Sequence, residues 1–237
     1  MLGDDNALKL MGARLAETGV LLVHYGVNNS PRAYFKGKIP DNVYGILERP
    51  LISPMIRHLE NIIPGLKKIL VLLDDSVSSR AVISTALHGK QSLSFPRGTI
   101  AEIKVTDDWN KWKRIVAEAE NEYQAVIIIN HFTIKDDDGR TIDGRTVIRY
   151  SSRHTRIPVF GTNNFTVHDE GAVGAMVIVG QDHGRKAGKM AEKLLKGSYD
   201  SKNHILQRAG KLYFNRKQID RFGLKLPHNI EKTAIFQ

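Results

Sequence analysis

Short apolar runs alternate with amphipathic stretches along almost the whole chain, the pattern by which parallel α/β proteins read. "VLLVHYGV" (20–27) has strand composition and ends at the turn-forming "NNSP". "ISPMIRHLENIIPGLKK" places Ile52, Met55, Ile56, Leu59, Ile62 and Ile63 on one helical stripe, with Ser53 as the expected N-cap and Pro64-Gly65 as the stop. "KILVLLDD" then reads as a buried strand, "SVSSRAVISTALHG" as a helix, "IAEIKVT" as a strand and "DWNKWKRIVAEAENEY" as an amphipathic helix. "QAVIIINHF" is the most strand-like run of all. A turn-rich excursion, "KDDDGRTIDGR", precedes a short helix in "TVIRYSSRHTR" and strands in "IPVFG" and "GAMVIVG". "QDHGRKAGKMAEKLLKG" is a long helix closed by Gly197, and "KLYFNRKQIDRFGLKLP" is a strand feeding a short helix. The expected fold is α/β, with open, mostly parallel sheets flanked by helices.

In open α/β sheets ligands bind beyond the carboxyl ends of the strands. The residues that follow the expected strands are Asn28 and Asn29, then Asp74, Asp75 and Ser76, then Asn130 and His131, then Asn163, Asn164 and Phe165. Amides, short carboxylates and a hydroxyl at one topological level are what a polar small-molecule pocket requires. The same residue types also make turns and helix caps for reasons internal to the backbone. Both readings stay open for each position taken alone; four strand ends together favour a pocket.

Composition narrows the function classes. The chain has 237 residues, 41% of them hydrophobic, enough for one large domain or two small ones with cores of their own. No apolar run approaches the roughly 20 residues of a membrane helix, and "MLGDDNALKL" lacks the pattern of a secretory signal, so no signal peptide is expected in the chain as given. The absence of cysteine excludes disulfides and thiol chemistry. The net charge of +10 invites a nucleic-acid reading, but the basic residues are spread, with local density in "GRKAGKMAEKLLKG" and "QRAGKLYFNRKQIDRFGLKLP", and no nucleic-acid motif accompanies them. "HGKQS" lacks the spacing of a phosphate loop, there is no G-x-S-x-G elbow, and no G-x-G-x-x-G follows a strand. "HDE" at 168–170 cannot converge on one ion, and "KDDDG" lacks the glutamate of a calcium loop. No catalytic residue, metal site or cofactor is expected, and an enzyme is the disfavoured reading.

The passages "VLLVHYGVNNSP", "VYGILERPLISPMIRHLENIIPGLKKILVLLDDS", "RIPVFGTNNFTVHDEGAVGAMVIVGQDHGRKAGKMAEKLLKG" and "LYFNRKQIDRFGLKLP" together resemble the substrate-binding components of ABC transporters, in the branch with the type I periplasmic-binding-protein fold. The resemblance implies two α/β lobes that close on a small solute, a membrane permease as partner, and an extracytoplasmic location. Similar domains serve as sensors joined to kinases or cyclases, so a ligand-sensing input domain is the alternative, and a doubly wound enzyme a second one. Mapped by motif, lobe 1 takes residues 1–47 with 174–198, and lobe 2 takes 48–173 with 199–237. Glu48, Glu170, Gly171 and Gly174 fall at the implied crossings; the two glycines suit a hinge or, alternatively, close packing. Asn28 and Asn29 would serve the ligand from lobe 1, and Asp75, Ser76, Asn130, His131, Asn163, Asn164 and Phe165 from lobe 2. An Asp in a cleft suits a ligand amine, which makes an amino-acid-like solute the expectation. Relative to the family, about a hundred residues preceding "LGDDNALKLMG" are expected to be missing, leaving lobe 1 incomplete.

Overall fold

The structure is a computed structural model that describes residues 1–199, 201 and 203–237. The chain divides into two compact units, residues 1–49 with 178–209 and residues 50–177 with 210–237. In chain order the first unit begins with β1 (Leu2–Gly3), α1 (Asp4–Glu17), β2 (Leu22–Val27) and β3 (Val43–Leu47). The second unit follows with α2 (Ile52–Ile62), β4 (Lys68–Leu73), α3 (Val77–Thr85), β5 (Ser92–Ser94), β6 (Ile100–Val105), α4 (Trp109–Glu118), β7 (Ala125–Ile128), α5 (Gly144–His154), β8 (Val159–Gly161) and β9 (Gly174–Val177). The first unit resumes with α6 (Gly180–Leu195) and β10 (His204–Leu206), and the second ends with β11 (Lys211–Phe214), α7 (Arg216–Arg221), α8 (His228–Thr233) and β12 (Ile235–Phe236).

The second unit is built on a sheet of order β12-β11-β9-β8-β7-β4-β6-β5. Its pairings are parallel except β11 with β9 and β5 with β6. Successive strand side chains point to opposite faces. Ile69, Val71 and Leu73 of β4 join a core with Met55, Ile56 and Leu59 of α2, while Leu70 and Leu72 join Trp112 and Val116 of α4 and Ile148 of α5. Both faces are covered, which explains why "KILVLL" is apolar at nearly every position. Burial of each such Leu or Ile contributes about 1.5–3 kcal/mol. The apolar stripe of α2 is the one the sequence predicts, but its N-cap is Leu51, with no side-chain bond, and Ser53 lies inside the first turn.

The first unit carries a parallel sheet of order β1-β2-β3-β10. Leu8 and Ala16 of α1 pack with Leu22, Val27 and Val43, whereas Ala187 and Met190 of α6 pack with Val23 and Ile46. Gly26 adopts φ +67 where the β2–β3 register shifts between Tyr25 and Val27, a conformation that disfavours any residue with a Cβ. Gly197, also at positive φ, follows the end of α6 as the sequence predicts.

Two segments lie elsewhere than the motif mapping puts them. Residues 174–177 form β9, which pairs with β8 and β11 of the eight-stranded sheet, so they belong to the second unit. Residues 199–209 belong to the first unit, because β10 pairs with β3 from His204 to Leu206.

Candidate functional site

At the carboxyl ends of β7 and β8 the second unit has a pocket of about 220 Å³. Its wall is made by His131 and Phe132 after β7, by Asp143, Gly144, Arg145 and Ile148 at the start of α5, and by Phe165, Thr166 and His168 after β8. The Asp143 carboxylate caps α5 by accepting from the amides of Arg145 and Thr146, at 3.1 and 3.2 Å. Gly144 lets the helix start lie close to the aromatic side, since a Cβ there would sit 3.1 Å from the Phe132 ring.

Phe132 and Phe165 are 47% and 57% exposed, with ring centroids 6.1 Å apart. A single exposed ring is ordinary on a protein surface, but two side by side at a pocket mouth are informative. Behind them the His131 ring is buried against Phe132, centroids 4.2 Å apart, and its Nδ1 has no hydrogen-bond partner among the described residues. Burial pushes the His131 pKa down to about 4, against the opposing pull of Asp74 and Asp143, so its imidazole is neutral at pH 7. His168 is lowered too, by burial and then by the charge of Arg149. Arg145 is exposed and makes no ion pair among the described residues, which leaves its guanidinium available to an anion.

Asp74, at the end of β4, organises the loops beneath this pocket. One carboxylate oxygen accepts from the hydroxyls of Ser76 (2.7 Å) and Ser79 (2.5 Å), and the other from the Phe132 amide (2.8 Å) and the Thr133 amide (3.3 Å). Burial alone would raise its pKa, but the bonds from Ser79, Ser76 and Phe132 outweigh that and hold it below the ordinary carboxylate value. Asp74 thereby ties the start of α3 to the segment that carries the Phe132 ring.

Of the strand-end residues expected to bind ligand, the pocket brings together His131 and Phe165. Ser76 caps α3 by accepting from the Ser79 amide, and Asn130 donates to the Ser79 hydroxyl at 3.1 Å, so both side chains serve the loop scaffold. Asp75 pairs with Arg80 at 2.6 Å. Asn163 and Asn164 begin the single turn 164–166, where their carbonyls accept from Thr166 and Val167; neither lines the pocket. Phe132, Asp143, Arg145 and His168 are lining residues that the sequence reading did not select. "IDGR" carried a usable signal, an Asp-Gly pair at a helix start, but it was absorbed into a turn-rich excursion.

In the first unit, Asn28 and Asn29 follow β2, and their amides donate to the two oxygens of Asp5 at 2.8 and 2.9 Å. Tyr34 donates its hydroxyl to the same carboxylate, and burial followed by this bond raises the Tyr34 pKa to about 12. Arg49 donates to the carbonyls of Val27, Glu48 and Asn29. Glu48 ends just short of the boundary at Arg49; burial raises its pKa.

The other three residues expected at a hinge lie within the second unit. Glu170 forms ion pairs with Arg149 and Arg153. A Cβ on Gly171 would meet the Thr166 carbonyl at 2.3 Å, and one on Gly174, inside β9, would meet the Phe214 ring at 2.6 Å. Close packing accounts for both glycines. The chain passes between units instead at Arg49–Pro50, Val177–Ile178 and Ala209–Gly210.

Comparison with known proteins agrees with this fold. An L-Trp complex of an ABC domain from Streptococcus pneumonia matches with a TM-score of 0.64 and 19% identity, over 99% of this chain and 78% of that one. A ligand-free, open substrate-binding protein with adhesive properties from Clostridium difficile matches with a TM-score of 0.69 and 17% identity, over 99% and 76%. A conserved domain protein from Vibrio cholerae matches with a TM-score of 0.61 and 14% identity, over 94% and 74%. No curated protein sequence matches the chain. These relatives share the type I periplasmic-binding-protein fold. Among the described residues no helix is long and apolar enough to cross a membrane. The profile of the family described as "ABC transporter substrate binding protein" matches residues 36–236, and the chain belongs to that family.

Proposed function

We propose that this chain is the extracytoplasmic solute-binding component of an ABC import system, and that the pocket between β7, β8 and α5 holds a small solute with a planar apolar part and a carboxylate. The observation that carries the reading is the exposed pair Phe132 and Phe165, 6.1 Å between centroids, beside an Arg145 without an ion pair among the described residues. Two open aromatic faces gain free energy by covering a flat apolar group, and a guanidinium pairs with a carboxylate in bidentate fashion. Asp143 lines the same pocket and suits a ligand ammonium, a role the sequence reading gave to Asp75. A pocket of about 220 Å³ is small on the scale of roughly 300–1,000 Å³ for drug-sized ligands, which suits an amino-acid-sized molecule. L-Trp, present in the structure of the Streptococcus relative, has all of these features. A membrane permease is the partner this role requires.

The reading is tested by thermal melting of the purified chain against amino acids, short peptides, sugars and purines. An aromatic amino acid should raise the melting temperature, since ligand at a hundred times its Kd stabilises by about 2.7 kcal/mol. Arg145→Gln should abolish the shift. A folded protein that responds to no aromatic amino acid contradicts the proposal.

A further inference from the structure

The basic stretch of α6 has no part in the pocket above, yet it lines a cavity of the first unit. That groove, about 470 Å³, runs between α6 and the edge strand β10. Lys186, Lys189 and Lys193 recur along one face of α6, and Arg208 stands opposite on the segment after β10. No acidic side chain lines the groove among the described residues. Lys186 donates to the Gln207 side chain at 2.5 Å, and Gln207 donates to the Ala209 carbonyl at 2.8 Å, which fixes the segment carrying Arg208 beside the helix. The side chains of Lys189, Lys193 and Arg208 make no hydrogen bond or ion pair among the described residues. Like charges brought to one groove with no acidic side chain lining it among the described residues repel, and an anion relieves that repulsion.

The floor is apolar. Ile205 pairs with Ile46 across the β3–β10 register, so the two share the sheet face on which Met190 of α6 packs. Ile205 stays 41% exposed on that face, and Tyr199 completes the apolar wall. The groove therefore presents a hydrocarbon floor with three cations at its rim that pair with no side chain among the described residues, in a volume within the usual range of small-molecule sites.

We infer that this groove is a second binding site, for a free amphipathic anion: an alkyl or aryl chain on Ile46, Met190, Tyr199 and Ile205, with one carboxylate or phosphate head on Lys189, Lys193 and Arg208. The occupant is a small molecule and not a membrane surface, because the apolar residues form the floor of a concavity instead of projecting beyond the lysines. The site is independent of the solute pocket, since all its residues belong to the first unit.

The test is isothermal titration of the full chain with decanoate, with decyltrimethylammonium as a probe of the same chain length and opposite charge, both below micelle formation. Decanoate should bind, and decyltrimethylammonium should bind at least about tenfold more weakly. The pair Lys189→Glu with Lys193→Glu should weaken decanoate about tenfold or more, a loss on the order of 1.4 kcal/mol. Both positions are solvent-exposed on α6, and circular dichroism checks that the variant folds. Ile205→Asp, on the floor of the groove, should weaken decanoate independently, whereas Lys9→Glu, exposed on α1 and outside both pockets, should leave it unchanged. The inference is overturned by no decanoate binding, by equal binding of the cationic probe, by full binding in the lysine variant, or by retention on phosphatidylglycerol vesicles that decanoate does not displace.

Discussion

His24 and His204 come from strands that are not neighbours, yet their rings lie 5.1 Å apart, because both are paired in register with Gly45 on the strand between them. The His24 ring fills the space over that glycine: a Cβ on Gly45 would sit 2.3 Å from the imidazole. Gly45→Ala should therefore force the ring out of place and destabilise the first unit by about 1–3 kcal/mol. Combining it with His24→Ala should recover part of the loss, with a coupling of roughly 0.5–3 kcal/mol. Urea denaturation of the four proteins of the cycle reads both quantities, and strictly additive losses would contradict the contact.

The same burial sets an acid limit. Both ring nitrogens of His24 are buried without partners among the described residues, and burial, then the neighbouring His204, lowers its pKa from 6.5 to about 4. The folded state thus favours the neutral ring while the unfolded chain takes up a proton below about pH 6.5. Stability should be level above that pH and decline as pH falls from about 6.5 to about 4, by no more than about 1.4 kcal/mol per pH unit for each such histidine. His131, also lowered to about 4 by burial, adds to the same window. Imidazole titration followed by NMR should give midpoints near 4 for both, and midpoints near 6.5 would contradict the buried, unpartnered environment.

Asp74→Asn puts an amide group where the Ser76 and Ser79 hydroxyls and the Phe132 and Thr133 amides all donate. One NH2 must then face a donor, and the charge-assisted bonds are lost, at a cost of about 2–3 kcal/mol. Because the native pKa is depressed, the wild-type contribution is present above the ordinary carboxylate value of 3.8 and is lost as pH falls through the lowered one. The variant should lose stability at pH 7 and approach the wild type in strong acid. A constant difference at every pH would contradict this.

Much of the fold was legible where burial writes a pattern. β4 and β7 stand out because helices cover both sheet faces, and α2 and α4 because only one stripe of each is buried. β10 escaped notice because it is three residues of an edge strand, with Ile205 and Leu206 both partly exposed, and it leaves no periodicity. The mapping of residues 199–209 went astray with it. The rule that ligands meet strand carboxyl ends pointed to the level of the pocket and to His131 and Phe165. It could not separate a side chain committed to a cap, such as Ser76, from one left open. Arg145 was missed for a related reason: it reaches the pocket from a helix start brought in by tertiary packing, 13 residues along the chain from Phe132 and 20 from Phe165.

Phe165 and Asn163 provide an internal contrast at one strand end. Phe165→Ala removes half of the aromatic pair and should weaken an aromatic solute by about 1–3 kcal/mol, on the scale of stacking partners elsewhere. Asn163→Ala, outside the pocket lining, should change affinity by less than about 0.5 kcal/mol. Parallel thermal-shift titrations of the two variants check the difference, and equal effects would argue against the Phe132–Phe165 platform.

The most direct measurement is isothermal titration of L-tryptophan into the wild-type chain and into Arg145→Gln, side by side at pH 7. The account predicts one saturable site in the wild type and a loss of at least about tenfold in the variant, the scale of a charge-assisted carboxylate contact. A wild-type chain that is folded yet takes up no L-tryptophan, L-phenylalanine or L-tyrosine, or a variant that binds as well as the wild type, would contradict it.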